Sequence, residues 1–174
     1  MDKHIYIKRK AFSKDQCKYI IDSFEKQKSD PNKRGYEGVY VSLHQSEWDF
    51  VGNILSKYTK EYAEKHKFLK TLYRPWDIVA EFHLQKYLPG KSYSVEHMEH
   101  GIDEWDCKRI IGWMIYLNDI KNKGGTRWPQ QNFTSKPREG DLYIWPSGWT
   151  HSHHGIIAPN EIKYIATGWC AMHR

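Results

Sequence analysis

At 174 residues the chain is long enough to bury a core and points to one domain, and with no run of about 18 apolar residues it holds no membrane-spanning helix. Its net charge of +6 and pI near 9.1 would suit an acidic partner, but the lysines are scattered through Lys57 to Lys70 and the N-terminal third. That scatter reads as solubility and argues against a dedicated nucleic-acid surface.

The opening Met1-Asp2-Lys3-His4 lacks the apolar core of a signal peptide. Cys17, Cys107 and Cys170 are widely spaced and form no CxxC pair, which suggests a reducing, cytoplasmic setting. Aromatic residues make up 15% of the chain, with eight Trp and twelve Tyr, as a packed β core or a ring-lined pocket requires.

From the N-terminus, His4 to Lys10 alternates Ile5 and Ile7 with polar neighbours, the pattern of a strand. Ser13 is placed to cap a helix over Lys14 to Phe24, whose Cys17, Ile20, Ile21 and Phe24 form one apolar face. Ser29 to Gly35 reads as a loop from its Asp, Pro, Asn and Gly content, within a longer charged and Tyr-rich stretch, Asp30 to His44. A second helix is predicted from about Trp48 to His66, burying Phe50, Ile54, Leu55, Tyr58, Tyr62 and Ala63. Lys67 to Trp76 connects it onward, with Pro75 disfavouring helix. The texture then changes to short β-rich segments, Ile78 to Tyr87, Ile110 to Leu117, Asp141 to Trp145 and Lys163 to Trp169, punctuated by Pro89-Gly90, Gly124-Gly125 and Pro146-Ser147-Gly148. Helices first and strands later predict an α+β, mainly β domain over 1–174: a strand and bracing helices in 1–75, then a sandwich or barrel core in 76–174.

The chemistry-bearing residues fall in that second part. If His97-Met98-Glu99 is extended, His97 and Glu99 share a face. A third ligand would come from His151-Ser152-His153-His154, where the same alternation pairs His151 with His153. Two histidines and one carboxylate leave about three positions open on an octahedral ferrous ion, whereas a structural zinc site would use four ligands. Ten histidines in the chain also produce such patterns by chance, so spacing alone leaves metal binding open.

Three further groups of motifs extend the pattern. They are Gln85-Lys86-Tyr87-Leu88-Pro89-Gly90 before His97, then Arg109 to Asn118 followed by Gly124-Gly125-Thr126, and Gly140 to Pro146 followed by His153, Lys163 and Trp169. In this order they resemble the Fe(II)/2-oxoglutarate-dependent dioxygenases of the prolyl 4-hydroxylase type, closest to small viral and bacterial members that share the Trp-Thr-His-x-His stretch at Trp149 to His153. The resemblance covers roughly residues 76 to 170. It implies a double-stranded β-helix (a cupin-like jelly roll) with N-terminal helices packed on the larger sheet.

By position, the resemblance makes His97, Glu99 and His153 the iron ligands. Lys163 becomes the partner of the far carboxylate of 2-oxoglutarate, Tyr87 and Tyr116 the wall of that pocket, and Trp169 an aromatic near metal and substrate. The family places its lysine ten residues after the distal ligand, an interval that selects His153 over His151. His151 is then a supporting or core histidine. One residue departs from the family: Glu99 stands where aspartate is usual. The implied cofactors are Fe(II), 2-oxoglutarate and O₂, with ascorbate as an auxiliary. The implied reaction is hydroxylation of a proline-containing peptide or protein at C4, releasing succinate and CO₂, with the Asp30 to His44 loop closing over the substrate. The alternatives are hydroxylation of another protein side chain or a free amino acid, a nucleic-acid-directed oxygenase, and a metal-binding jelly roll without activity. Oligomeric state is not legible.

Overall fold

The computed structural model describes residues 2–27 and 35–173, so most of the predicted Ser29 to Gly35 loop lies outside the described residues. Strand β1 (Tyr6–Lys8) leads into helix α1 (Lys14–Glu25). Ser13 caps α1 reciprocally: its Oγ accepts from Gln16 N at 3.2 Å, and Gln16 Oε1 accepts from Ser13 N at 2.9 Å. Strand β2 (Glu37–Ser42) lies within the Asp30 to His44 stretch predicted as loop, and pairs in register with β4 (Glu81–Tyr87). Helix α2 (Asp49–Lys65) buries Val51, Leu55, Tyr58 and Tyr62, while Phe50 and Ile54 are only half-buried at its rim.

The remaining strands are β3 (Trp76–Ile78), β5 (Arg109–Tyr116), β6 (Thr126–Trp128), β7 (Phe133–Thr134), β8 (Leu142–Pro146), β9 (His154–Gly155) and β10 (Lys163–Met172). Seven form one antiparallel sheet in the order β1-β8-β5-β10-β4-β2, with β3 pairing the far end of β10; three form a small sheet, β7-β6-β9. Sequence reading missed the small sheet because strands of two or three residues carry no measurable alternation.

Alternation along the large sheet sorts its side chains into two layers. Phe82, Leu84, Ile111, Trp113, Ile115, Leu142, Ile144 and Ala166 join Cys17, Ile20 and Phe24 of α1 and Leu55 and Tyr58 of α2 in one buried apolar cluster. The intervening residues Tyr87, Met114, Tyr116, Tyr143, Trp145 and Ile165 face the other way and pack with Trp128 of the small sheet. The helices thus brace one face of the large sheet, and the other face, with the small sheet, encloses a cavity. No helix among the described residues is long and apolar enough to cross a membrane.

Candidate active site

His97, Glu99 and His153 meet in that cavity, their ligand atoms within 4.8 Å of one another. Regular strands do not bring them there, as the sequence pattern had suggested. His97 and His153 form an isolated β-bridge, with His97 N donating to His153 O at 3.0 Å and His153 N to His97 O at 2.8 Å. Glu99 N donates to Ser147 O at 3.0 Å. His151 ends a 3₁₀ turn, Trp149–His151, so the alternation that would pair it with His153 is broken. Its Nε2 lies 3.9 Å from Asp2 Oδ2, and its ring stands edge-on to His4. Only its carbonyl serves the site, accepting from His153 Nδ1 at 3.0 Å.

That contact, with His97 Nδ1 to Val95 O at 2.9 Å, fixes the chemistry of both rings. A carbonyl can only accept, so each Nδ1 carries a proton, and in its neutral form each ring has its lone pair at Nε2, the tautomer a metal ligand needs. His153 Nε2 sits 3.2 Å from Glu99 Oε1. Two lone-pair atoms at that distance require a cation between them, a proton or a metal ion. Burial acts to raise the Glu99 carboxyl, but the hydrogen bond and charge of His153, the charge of His97 and the Trp169 hydrogen bond outweigh it and hold it at about 2. Glu99 is therefore an anion, with Trp169 Nε1 donating to its Oε2 at 2.6 Å. Two imidazoles and one buried carboxylate, with no thiolate, suit a divalent ion such as Fe(II) that keeps open positions.

The cavity encloses about 460 Å³, and all seven sequence-predicted residues line it. Lys163, the first residue of β10, is 3% exposed. Its Nζ donates to Gly124 O at 3.1 Å and lies 4.6 Å from the centre of the Tyr87 ring. Gly124 presents that carbonyl from a turn at φ +73°, a left-handed conformation that favours glycine. Among the described residues no carboxylate lies within ion-pair distance of Lys163, and burial lowers its pKa to about 8. A buried ammonium with no carboxylate partner among the described residues, facing a polar cavity, can receive an anion. Tyr116 hydrogen-bonds Ser135 Oγ at 2.7 Å and Thr126 Oγ1 at 3.0 Å, while burial raises its phenol and keeps it neutral. Tyr87 donates to Gln85 Oε1 at 2.6 Å.

Sequence reading assigned no role to Arg109, Gln85 or His83. Arg109 lies 3.6 Å over the Trp169 ring, pairs with Asp106 at 2.6 Å and donates to Glu99 O at 3.3 Å. Gln85 and His83 share the cavity face with Tyr87 by strand period, a signal available in the sequence. Beyond Arg109, Trp169 and Tyr40, which border both, lies a second cavity of about 590 Å³ lined also by Ile78, Trp105 and Met172.

Known proteins resemble this chain in sequence and in fold. The profile of the 2OG-Fe(II) oxygenase superfamily matches residues 82–171. Over 111 residues the chain is 29% identical to the "Putative prolyl 4-hydroxylase" of Acanthamoeba polyphaga mimivirus, a match that covers 55% of this chain and 46% of that protein. The chain thus spans about half the length of this curated relative. Its fold is similar to that of the viral collagen prolyl hydroxylase of Paramecium Bursaria Chlorella virus-1, solved with 2OG, at a TM-score of 0.78 and 19% identity over 97% of this chain and 96% of that one. A Pseudomonas putida prolyl-4-hydroxylase matches at a TM-score of 0.75 and 16% identity over 98% and 94%. A Trichoplax adhaerens prolyl hydroxylase, solved with a hypoxia inducible factor peptide, matches at 0.68 and 14% over 97% and 83%.

Proposed function

The chain belongs to the 2OG-Fe(II) oxygenase superfamily, and from that premise we propose that it hydroxylates prolyl residues at C4 in a peptide or protein, acting as one domain over 1–174. The observation that supports the reading is a single cavity holding a His97, Glu99 and His153 ligand set together with the buried, carboxylate-free ammonium of Lys163. The names of the viral, bacterial and animal relatives supply the prolyl preference.

In this reading His97, Glu99 and His153 hold the iron, and Lys163 anchors the distal carboxylate of 2-oxoglutarate through a charge-assisted hydrogen bond. When bound, iron with 2-oxoglutarate and O₂ supplies the oxidation: the co-substrate loses CO₂ to become succinate, and one oxygen atom enters a substrate C–H bond. The chain's own residues orient and enclose. Tyr87 and Tyr116 wall the anion pocket and keep it dry, which strengthens the Lys163 contact. Trp169 holds Glu99, and Arg109 holds Trp169. Tyr40, stacked on His83 at 4.2 Å, and Trp105, with Lys108 over its ring, are still 63% and 67% exposed, and in this reading their remaining aromatic surface at the second cavity meets an extended, proline-bearing chain. An ascorbate requirement and a reducing, cytoplasmic setting complete the proposal; the three free cysteines agree with the latter.

The test is to incubate the protein with Fe(II), 2-oxoglutarate and a proline-rich peptide, with and without ascorbate. Succinate release coupled to a one-oxygen mass gain on proline is expected. Coupled turnover only with free amino acids, other side chains or nucleic acid would overturn the prolyl assignment.

A further inference from the structure

Glu99 is one methylene longer than the family's aspartate, and that methylene must be housed. Three residues form a cross-strand row at this point. Trp169 of β10 pairs with Gly112 of β5, and Gly112 pairs with Trp145 of β8. The row is two indoles with a bare backbone between them. A Cβ built on Gly112 would stand 3.0 Å from Glu99 Cγ and 2.9 Å from Trp145 Cε2, closer than such contacts ordinarily come. The aliphatic stem of Glu99 therefore lies in the notch that the missing side chain leaves. At the end of the notch, Trp169 Nε1 donates to Glu99 Oε2 at 2.6 Å, and the other oxygen, Oε1, faces His153 Nε2 at 3.2 Å. The indole cannot readily turn away, because Arg109 covers its face at 3.6 Å and is itself tied to Asp106 at 2.6 Å.

We propose that Gly112 and Trp169 are positioning residues that adapt this site to glutamate: Gly112 makes room for the longer stem, and Trp169 occupies one carboxylate oxygen so that the other alone is offered to the metal. The inference rests on the reading of Glu99 as a ligand. A single-oxygen carboxylate leaves more of the ion's positions open than a chelating one, and the longer, looser glutamate needs an external hold to behave so. Aspartate in the same frame would carry its oxygens back from the Trp169 N–H and leave the notch unfilled.

The experiment is a mutant cycle read by anaerobic Co(II) titration, following both affinity and the visible absorption of the bound ion, with thermal unfolding as the check on folding. Trp169→Phe in the natural background is expected to weaken Co(II) binding about 10- to 100-fold, the cost typical of losing a group that orients a ligand, and to change the Co(II) spectrum. Added to Glu99→Asp, the same substitution is expected to cost less than about 3-fold, since the contact is already gone. Gly112→Ala, whose Cβ would meet Trp145 in either background, should weaken Co(II) binding by a larger factor in the natural background than in the Glu99→Asp background, where the Glu99 Cγ contact is gone. Equal factors for Trp169→Phe in both backgrounds would overturn the proposal whether or not the Gly112 variant folds. Glu99→Ala separates the two levels of inference. If it leaves Co(II) affinity at the parent value, the ligand assignment itself fails. If it abolishes binding while the cycle is additive, only the adaptation to glutamate fails.

Discussion

The two faces of the large sheet are made by the same strands and differ in almost everything else. Toward the helices stand Phe82, Leu84, Ile111, Trp113, Ile115, Leu142, Ile144 and Ala166, apolar and nearly waterless. Toward the cavity the alternate positions carry His83, Gln85, Tyr87, Met114, Tyr116, Lys163, Thr167 and Trp169. One face maximises burial of apolar surface; the other carries the buried ammonium of Lys163 and faces the carboxylate of Glu99 across the cavity, groups that cost stability unless something binds them. Folding energy and chemistry are thus separated by one residue along each strand.

Substitutions on the two faces should give opposite signatures, and the largest effects test that most directly. His153→Ala should abolish metal binding and turnover while leaving denaturant unfolding close to native; His151→Ala should retain metal, because its side chain points toward Asp2 and His4. If His151→Ala loses the ion, the division between the histidines fails. On the helix face, Trp113→Ala should cost about 3–5 kcal/mol in urea unfolding, since its fully buried indole would leave a cavity.

Lys163→Met sharpens the contrast further. The folded-state pKa of about 8 against the ordinary 10.5 corresponds to about 3 kcal/mol of penalty on the buried charge. Below about pH 8 folded and unfolded chains both carry the proton and the penalty is complete; as pH rises from 8 toward 10.5 the folded chain releases its proton first and stability increases. Lys163→Met should therefore lose 2-oxoglutarate binding yet unfold with roughly 1–2 kcal/mol more stability at pH 7, part of the gain being offset by the orphaned Gly124 carbonyl. In the natural protein, 2-oxoglutarate affinity by calorimetry should weaken about tenfold per pH unit above 8, because the anion must then recruit a proton. The smallest effect belongs to Ser13→Ala, about 1 kcal/mol from the lost cap of α1 with no change at the site.

The helix layer was legible because its signals are local: a capping residue, then apolar positions at helical spacing, as in Cys17, Ile20 and Phe24. In the large sheet β3 was not separated from β4, whereas β1 was legible from its alternation and β4, β5, β8 and β10 from their apolar runs. β2 was not, because this strand is largely half-exposed, carries Gly38 and a charged end, and takes its order from pairing with β4. The site residues were named through motif order and family resemblance. Their geometry escaped, since His97 and Glu99 stand on irregular chain and His151 is separated from His153 by the end of a turn. Arg109 headed a family motif, but its role was not legible, because it is defined by contact with Trp169, 60 residues on, as well as with Asp106.

The reciprocal main-chain bonds between His97 and His153 carry one more consequence. They join the two histidine positions through backbone atoms that every residue but proline possesses, so this bridge does not depend on the histidine side chains. Ligands can be exchanged while the bridge stands. A chain built this way offers evolution, or an engineer, a socket in which the side chains at the two histidine positions are adjustable parts.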